Sequence, residues 1–423
     1  MTSLPVVVVD GATTADDGRA DAWPHGGRRD RRVATLVGAV TTSSVGDGMV
    51  LVAFPLLALR WTGSALAVAL VAVAARAPGM VLALPAGVLV DRVDRRRLVT
   101  VANAVRTAVL VVLALSAATG AGRVAVLYLT VGVLGVAEVL VDVAVQSVVP
   151  ELVARDRMAA TVGMMSSADV GGESMAGAAL GGLLVPVAAW LPVVGDAASF
   201  VVATLLARAA LPPGRTVPAP TPGARAELRA GLTLYRRSPL LRSVAGLVGV
   251  LAACSTAVMA VLVVFAGRRL GLGATGYGLL VAGAAVGQVA GHLLAGRVWK
   301  RVGPGVALLG AGALAACCYL ALASTRQVAV ALGVLVVESL AVGVGDSAAA
   351  AVRQLATPAG MAGRSAAAYR SVVLALVPLG ALGGGLVAAT AGSPAAIGAA
   401  GALQLVVVVL VARRLLRVVA DVR

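Results

Sequence analysis

Long apolar blocks, broken by short clusters of arginine, recur along the whole of this chain. The blocks run for about 20 residues or more, and a bilayer core about 30 Å thick takes roughly 20 apolar residues as a helix. They fall at about 34–59, 64–90, 98–119, 124–149, 159–186 and 193–211, then at 242–267, 275–298, 305–323, 328–351, 366–390 and 394–412. The pattern predicts an all-α integral membrane protein with 12 transmembrane helices. One long polar stretch interrupts it. Residues 212–241 begin as a Pro-rich linker, "PPGRTVPAPTPGARAEL", and pass into a short amphipathic segment through Leu232 and Tyr235. This divides six spans from six. The organisation expected is a disordered cytoplasmic tail (1–32), a six-helix bundle (33–211), a cytoplasmic linker (212–241), a second six-helix bundle (242–412) and a cytoplasmic tail (413–423).

Composition strengthens this reading. Of the 423 residues, 60% are hydrophobic and 13% charged, whereas a soluble domain is about half apolar and about a quarter charged. The first 32 residues carry Asp10, Asp16, Asp17 and Asp21 and then Arg28, Arg29, Arg31 and Arg32, with no signal-peptide core among them. Cys254, Cys317 and Cys318 lie inside apolar blocks without metal-ligand spacing, as inert buried thiols do.

Net charge is +16, which suggests nucleic acid until the charges are placed. With the N-terminus inside, 28 of the 35 Lys and Arg residues fall in the cytoplasmic loops and tails, against five in the opposite loops (Arg60, Arg123, Arg268, Arg269 and Arg326). That is the asymmetry of a plasma-membrane protein with both termini cytoplasmic. The basicity reports orientation, and nucleic acid is no partner. Trp61, Trp190 and Trp299 fall at span ends, where interfacial indoles belong.

Loop 2–3 reads Gly87-x-Leu89-x-Asp91-Arg92-x-x-Arg95-Arg96, and 209 residues on, loop 8–9 reads Gly296-x-x-x-Lys300-Arg301-x-Gly303. Two six-helix halves in tandem are the mark of a parallel-repeat transporter with its substrate site between them. In these residues the chain resembles the major facilitator superfamily, whose loop 2–3 signature it matches except for Asp94 at the second glycine. The likeness is to the drug-exporter branch that holds macrolide-efflux and siderophore-exporter proteins. It rests on "LPAGVLVDRVDRRRL" (84–98), "GVAEVLVDVAVQSVVPELV" (135–153), "GDAASF" (195–200), "RQLATPAGMAGRSAAAYR" (353–370) and "PLGALGGG" (378–385). It implies that Gly87, Asp91, Arg92, Arg95 and Arg96 form a latch that shuts the cytoplasmic side. Gly177, Gly181 and Gly182 match the antiporter motif of the fifth span, with Ala178 where the family has Pro, so a bend there must come from glycine. The fourth-span Arg of proton-coupled members is replaced by Val131, which removes one route to coupling.

Ionisable residues at membrane depth are costly and suggest function. Asp47 lies in the first span after Ser43 and Ser44. Arg76 and Arg106 lie in the second and third, where either could compensate for the absent fourth-span Arg. Glu138 and Asp142 share one face of the fourth span, with Gln146 continuing the stripe, and Asp169 and Glu173 repeat the spacing on the fifth. Two carboxylates on one face at low dielectric cannot both ionise cheaply, so one can carry a proton near neutral pH. Asp47, Glu138, Asp142, Asp169, Glu173, Arg76 and Arg106 are the proton-coupling candidates. Asp196, Glu338 and His292 read as structural. Few aromatic residues are available for stacking, so the cavity should bind by shape and apolar contact, with Met49, Met164, Met165 and Gln146 as candidate lining. No phosphate-binding loop, metal cluster or nucleophile–base set is visible, so neither a cofactor nor enzymatic chemistry is expected. The expected partners are a small-molecule substrate, protons and membrane lipids, for a monomer.

The reading is an exporter of a hydrophobic or amphiphilic organic compound, driven by proton antiport. An uncoupled facilitator or importer and a non-transporting sensor or scaffold are the rivals. The topology is testable by labelling: in intact cells an impermeant maleimide should reach a Thr325→Cys variant, and should reach Arg97→Cys only after permeabilisation.

Overall fold

The structure, a computed structural model, describes residues 28–153, 155–211, 224–358 and 361–420, with backbone alone at 83–88, 91, 92 and some further positions. Backbone N–H and C=O groups find no water in a bilayer, so each segment must bond within itself, which a helix does. The described residues form α1 (Arg28–Thr62), α2 (Ala65–Arg92), α3 (Arg95–Ala118), α4 (Val124–Leu152), α5 (Arg155–Val170), a π-helical turn (Gly171–Gly177), α6 (Ala178–Leu184) and α7 (Leu191–Ala210). After the linker come α8 (Ala224–Arg237), α9 (Pro239–Leu270), α10 (Ala274–Val302), α11 (Pro304–Ser324), α12 (Val328–Ala356), α13 (Ala362–Ala391) and α14 (Ser393–Ala420). Eleven of these helices are long and apolar enough to cross a membrane. The remaining span is composite: α5, the π turn and α6 in series.

Two boundaries differ from expectation. The Arg28–Arg32 cluster, placed in the disordered tail, begins α1, and α14 continues to Ala420 past the expected end of the last span. Arginine favours neither outcome in sequence, because its aliphatic stem extends a helix while its head reaches for water. Residues 1–27 and the Pro-rich part of the linker lie outside the described residues. The amphipathic segment of the linker is α8. It lays Leu232 and Tyr235 against Leu241, Ala245 and Ala368, and the Tyr235 hydroxyl lies 3.3 Å from Ser365 Oγ.

The tandem repeat is visible in the packing. The first span of each half contacts the fifth and sixth, α1 on the composite span and α7, and α9 on α13 and α14. The second contacts the fourth, α2 on α4 and α10 on α12. The third contacts the fourth and sixth, α3 on α4 and α7, and α11 on α12 and α14. Between the halves, α2 lies on α13, and α6 with the π turn lies on α10.

These inter-half contacts close one end. Gly182 and Gly278 meet backbone to backbone, Thr275 Oγ1 donates to the Gly182 carbonyl at 3.0 Å, and Arg268 donates to the Gly63 carbonyl at 3.0 Å. Gly385 sits against Ala69. An apolar cluster here draws on both halves, joining Phe54, Val68 and Phe200 to Val261, Phe265 and Leu335. At the arginine-rich end the clusters separate. Val90, Val99, Val148 and Leu152 pack within the first half, and Val244, Leu308 and Val352 within the second. Among the described residues, apolar clusters join the halves at one end and stay within each half at the other.

Helix association in lipid lacks a hydrophobic drive and relies on close van der Waals approach at small residues. A Cβ at Gly177 would meet the Val45 carbonyl and Gly48 Cα of α1, one at Gly48 would meet the Glu173 backbone, and one at Gly181 would meet Met49. A π turn over Gly171–Gly177 ends at the first glycine of the fifth-span motif. Gly177→Val should therefore lower stability by about 1–3 kcal/mol, while Gly383→Val, with open space at its Cβ, should change little. Thermal unfolding of the purified variants checks both.

Candidate functional site

The loop 2–3 turn shows why Asp94 can stand where the related signature has glycine. α2 runs helical through Arg92, Val93 is extended, and Asp94 caps α3 by accepting from the Arg97 backbone N–H at 2.8 Å. An N-cap acceptor of this kind is favoured at a helix start. The side-chain arrangement of the latch at Asp91 and Arg92, and the surroundings of Gly87, lie outside the described residues. Arg95 and Arg96 open α3.

Toward the middle of the first half, polar side chains from all six spans converge. On α1, Ser43 Oγ donates to Asp47 at 3.3 Å, while Ser44 Oγ bonds Asp169 of α5 at 2.6 Å. The two serines that precede Asp47 therefore serve different acids on different helices. Glu173 lies in the π turn, within electrostatic reach of Arg76 on α2, Glu138 and Asp142 on α4, and Asp169. Arg370, on α13 of the other half, reaches Asp142 across the opening. Arg76, Glu138, Asp142, Gln146 and Asp169 are all exposed although they lie within spans. The mutual reach of the charged ones, with a partner from the other half, puts them on the walls of the space between the halves and not toward lipid.

Behind this wall lies a second, buried group. Arg106 on α3 is 3% exposed and its guanidinium stands 4.7 Å from the centre of the Phe200 ring, a cation–π distance. It is within electrostatic reach of Asp47, Asp142 and Asp196. Asp196 on α7 is fully buried; Ser199 Oγ bonds its Oδ1 at 3.3 Å, and its Oδ2 has no hydrogen-bond partner. Arg106 Nε and Asn103 Oδ1 also lack partners. Buried polar atoms are paired in the great majority of cases, and unpaired ones ask for a reason.

Asp47 and Arg106 are the members of this group that the sequence points to; Asp196, expected to be structural, and Asn103 are buried on α7 and α3. The available signal was the placement of Asp196 within a membrane span after a glycine, in the stretch "GDAASF". A Cβ at Gly46 would meet the Asp196 and Ser199 side chains, so small residues on α1 admit them. Of the candidate cavity residues, Met164 and Gln146 are exposed, whereas Met165 packs on the apolar cluster of the first half. Met49 is a correction. It is 8% exposed with its thioether beside Gly195, so it fills helix packing and does not line a cavity. Val131, in place of the fourth-span Arg, is 3% exposed in the apolar cluster, while Arg106 stands within electrostatic reach of Asp47 and Arg76 within reach of Glu173.

The paired halves, the polar interior and the opening at one end define a transporter of the major facilitator fold. Residues 29–422 match the family model described as transmembrane secretion effector, and the chain belongs to that branch of the superfamily. It is similar to the multidrug efflux pump Tap of Mycolicibacterium fortuitum, 40% identical over 97 residues, which span 22% of this chain and 24% of that pump. Among solved structures it superposes on a bacterial homologue of the lysosomal transporter Spinster in an inward-facing, unoccupied conformation, at TM-score 0.72 and 15% identity over 92% of this chain and 98% of that one. A bacterial homologue of the iron transporter ferroportin, also inward-facing, gives TM-score 0.72 and 16% identity over 90% and 98% of the two chains. The nucleoside transporter NupG gives 0.70 and 9% over 92% and 99%. At these identities the structural matches speak for fold alone.

Removing Arg106 leaves Asp47 and Asp196 without their cation. Arg106→Leu should destabilise by about 3 kcal/mol, and Arg106→Leu combined with Asp196→Leu should recover at least half of that. Unfolding of the single and double variants measures it. Equal losses in both would show that Arg106 acts through packing.

Proposed function

We propose that the chain exports a hydrophobic or amphiphilic organic compound by proton antiport with alternating access. The observation that carries this is the two-layered acid network. Glu138, Asp142, Asp169 and Glu173 lie toward the opening, and Asp47 and Asp196 lie behind them beside Arg106. A proton taken up on the buried layer weakens its hold on Arg106, and Arg106 then turns to the acids at the cavity. Protonation and substrate occupancy thereby compete for one set of charges, as antiport requires. The unpartnered Asp196 Oδ2 suits a site that takes up a proton. The pump relative, a multidrug efflux protein by name, supports export of organic molecules.

The open end is cytoplasmic in this reading, because the arginine-rich loops surround it, and both termini lie on that side of the plasma membrane. The bundles 33–211 and 242–412 rock about their sealed contacts. Gly87, Asp91, Arg92, Arg95 and Arg96 engage the opposite half when the cytoplasmic side shuts. Met164 and Gln146 meet substrate, lipids surround the apolar exterior, and the protein works as a monomer.

Everted vesicles with an acid interior test the proposal. Macrolides and lipophilic cations, added singly with a pH-sensitive dye present, should release the proton gradient in wild type. Glu138→Gln, Asp142→Asn or Asp47→Asn should abolish that release. Substrate flux without proton release would establish the facilitator instead.

A further inference from the structure

The two halves treat one interior position differently. The third spans begin at Arg95 and Pro304, the same step of 209 residues that separates Gly87 from Gly296. By that step Arg106 corresponds to Ala315, and Asn103 to Gly312. Aligning the ends of the first spans, Thr62 and Leu270, sets Asp47 opposite Ser255. The fourth spans start at Val124 and Val328 and are both 29 residues long, so Asp142 corresponds to Asp346. The first half thus carries a guanidinium among its acids. The second half keeps the acid and has a methyl group where the guanidinium would be.

At that place, between α9, α11, α12 and α14, lies a cavity of about 230 Å³ whose lining includes Thr256, Ala315, Tyr319, Asp346 and Gln404. Several of its polar groups spend a donor on protein acceptors, and Ser255 adds a further hydroxyl to the lining. Gln404 Nε2 donates to the Gly312 carbonyl at 2.9 Å, Thr256 Oγ1 to the Ala252 carbonyl at 2.7 Å, and the Tyr319 hydroxyl to Glu338 Oε1 at 2.5 Å. Two acceptors stand out among them. Gln404 is 2% exposed and its Oε1 has no partner, and the Asp346 carboxylate lines the same cavity. Turned the other way, Oε1 would face the Gly312 carbonyl, acceptor against acceptor, so the amide keeps this orientation and Oε1 stays unpaired. Two acceptors, one of them a carboxyl group, in an otherwise largely apolar wall suit a ligand that is a cationic donor; His292 lies within electrostatic reach of Asp346. The rest of the wall is largely aliphatic, with Val248, Leu251 and Ala311 among it. A hard metal ion would want about six oxygen ligands.

We propose that this cavity inside the C-terminal half binds a protonated organic amine, whose ammonium donates to Asp346 and Gln404 Oε1 while its apolar body lies against the aliphatic wall. As a substrate site it rests on the reading that amphiphilic organic compounds are what the chain carries. The second half would then borrow from its ligand the cation that the first half owns as Arg106.

The test is calorimetric binding of 2-phenylethylamine, and of its neutral counterpart 2-phenylethanol, to the purified full-length protein in nanodiscs. The amine should bind at least about tenfold more tightly than the alcohol, since hydrogen bonds to a charged group are the strong ones. Asp346→Asn should weaken the amine about tenfold or more, Asp346→Glu should retain it within a few-fold, and Ala315→Leu, which fills the cavity, should abolish it. Gel filtration and thermal unfolding establish that each variant is folded; should Ala315→Leu fail, the two Asp346 variants decide. No amine binding, equal binding of the alcohol, wild-type affinity in Asp346→Asn, or displacement by sodium at constant ionic strength would each overturn the proposal. Binding needs no gradient. Lost proton release with intact amine binding would therefore remove the antiport reading alone, and the converse would remove this site alone.

Discussion

Close backbone approach at glycine is the interaction on which the rest of this structure depends. Lipid is as apolar as a leucine side chain, so these helices gain little by hiding leucine from it. They gain by contact, and contact is nearest where side chains are absent. Gly48, Gly177 and Gly181 bring α1 and the fifth span together, and Gly182 with Gly278 joins the halves. Because these seams are tight, the polar residues of six helices come within reach of one another. The tight inter-half seams lie at one end, and the apolar clusters at the other stay within each half.

The fifth span shows the link from sequence to function most directly. The proline of the related motif is Ala178 here, and the helix changes its winding over Gly171–Gly177 instead. A π turn inside a helix often marks a functional position. Here it carries Glu173 to the side facing Arg76 and Glu138, and the same segment presses its backbone on Gly48. Packing and charge placement are therefore coupled: a shift of this span against α1 would move Glu173 relative to its neighbours.

The halves repeat a helix arrangement without repeating its chemistry. The first concentrates arginine and carboxylates. The second places Glu338 among hydroxyls, bonded by Tyr319 and Ser339 at 2.5 and 3.1 Å, and keeps a cavity where its counterpart keeps Arg106. The repeat supplies two corresponding interior positions, and the differences Arg106 to Ala315, Asn103 to Gly312 and Asp47 to Ser255 give them different surroundings.

Sequence alone determined the class of fold, the number of spans and the division into halves. Those follow from the length and composition of apolar runs, which report on each helix by itself. It also revealed the pairs Glu138–Asp142 and Asp169–Glu173, because a four-residue spacing within one helix is a local geometric fact. It could not show that Asp196 belongs with Asp47 and Arg106, since that depends on how α1, α3 and α7 pack, across a separation of about 90 residues or more between α7 and the other two. It could not separate Met49, which packs, from Met164, which is exposed, because facing is set by neighbours. Ala315 was one alanine among many until α9, α11, α12 and α14 closed around it. Residue types and spacings along one helix are written in the chain; which faces meet, and which charges therefore share a space, is decided only when helices remote in sequence are brought into contact.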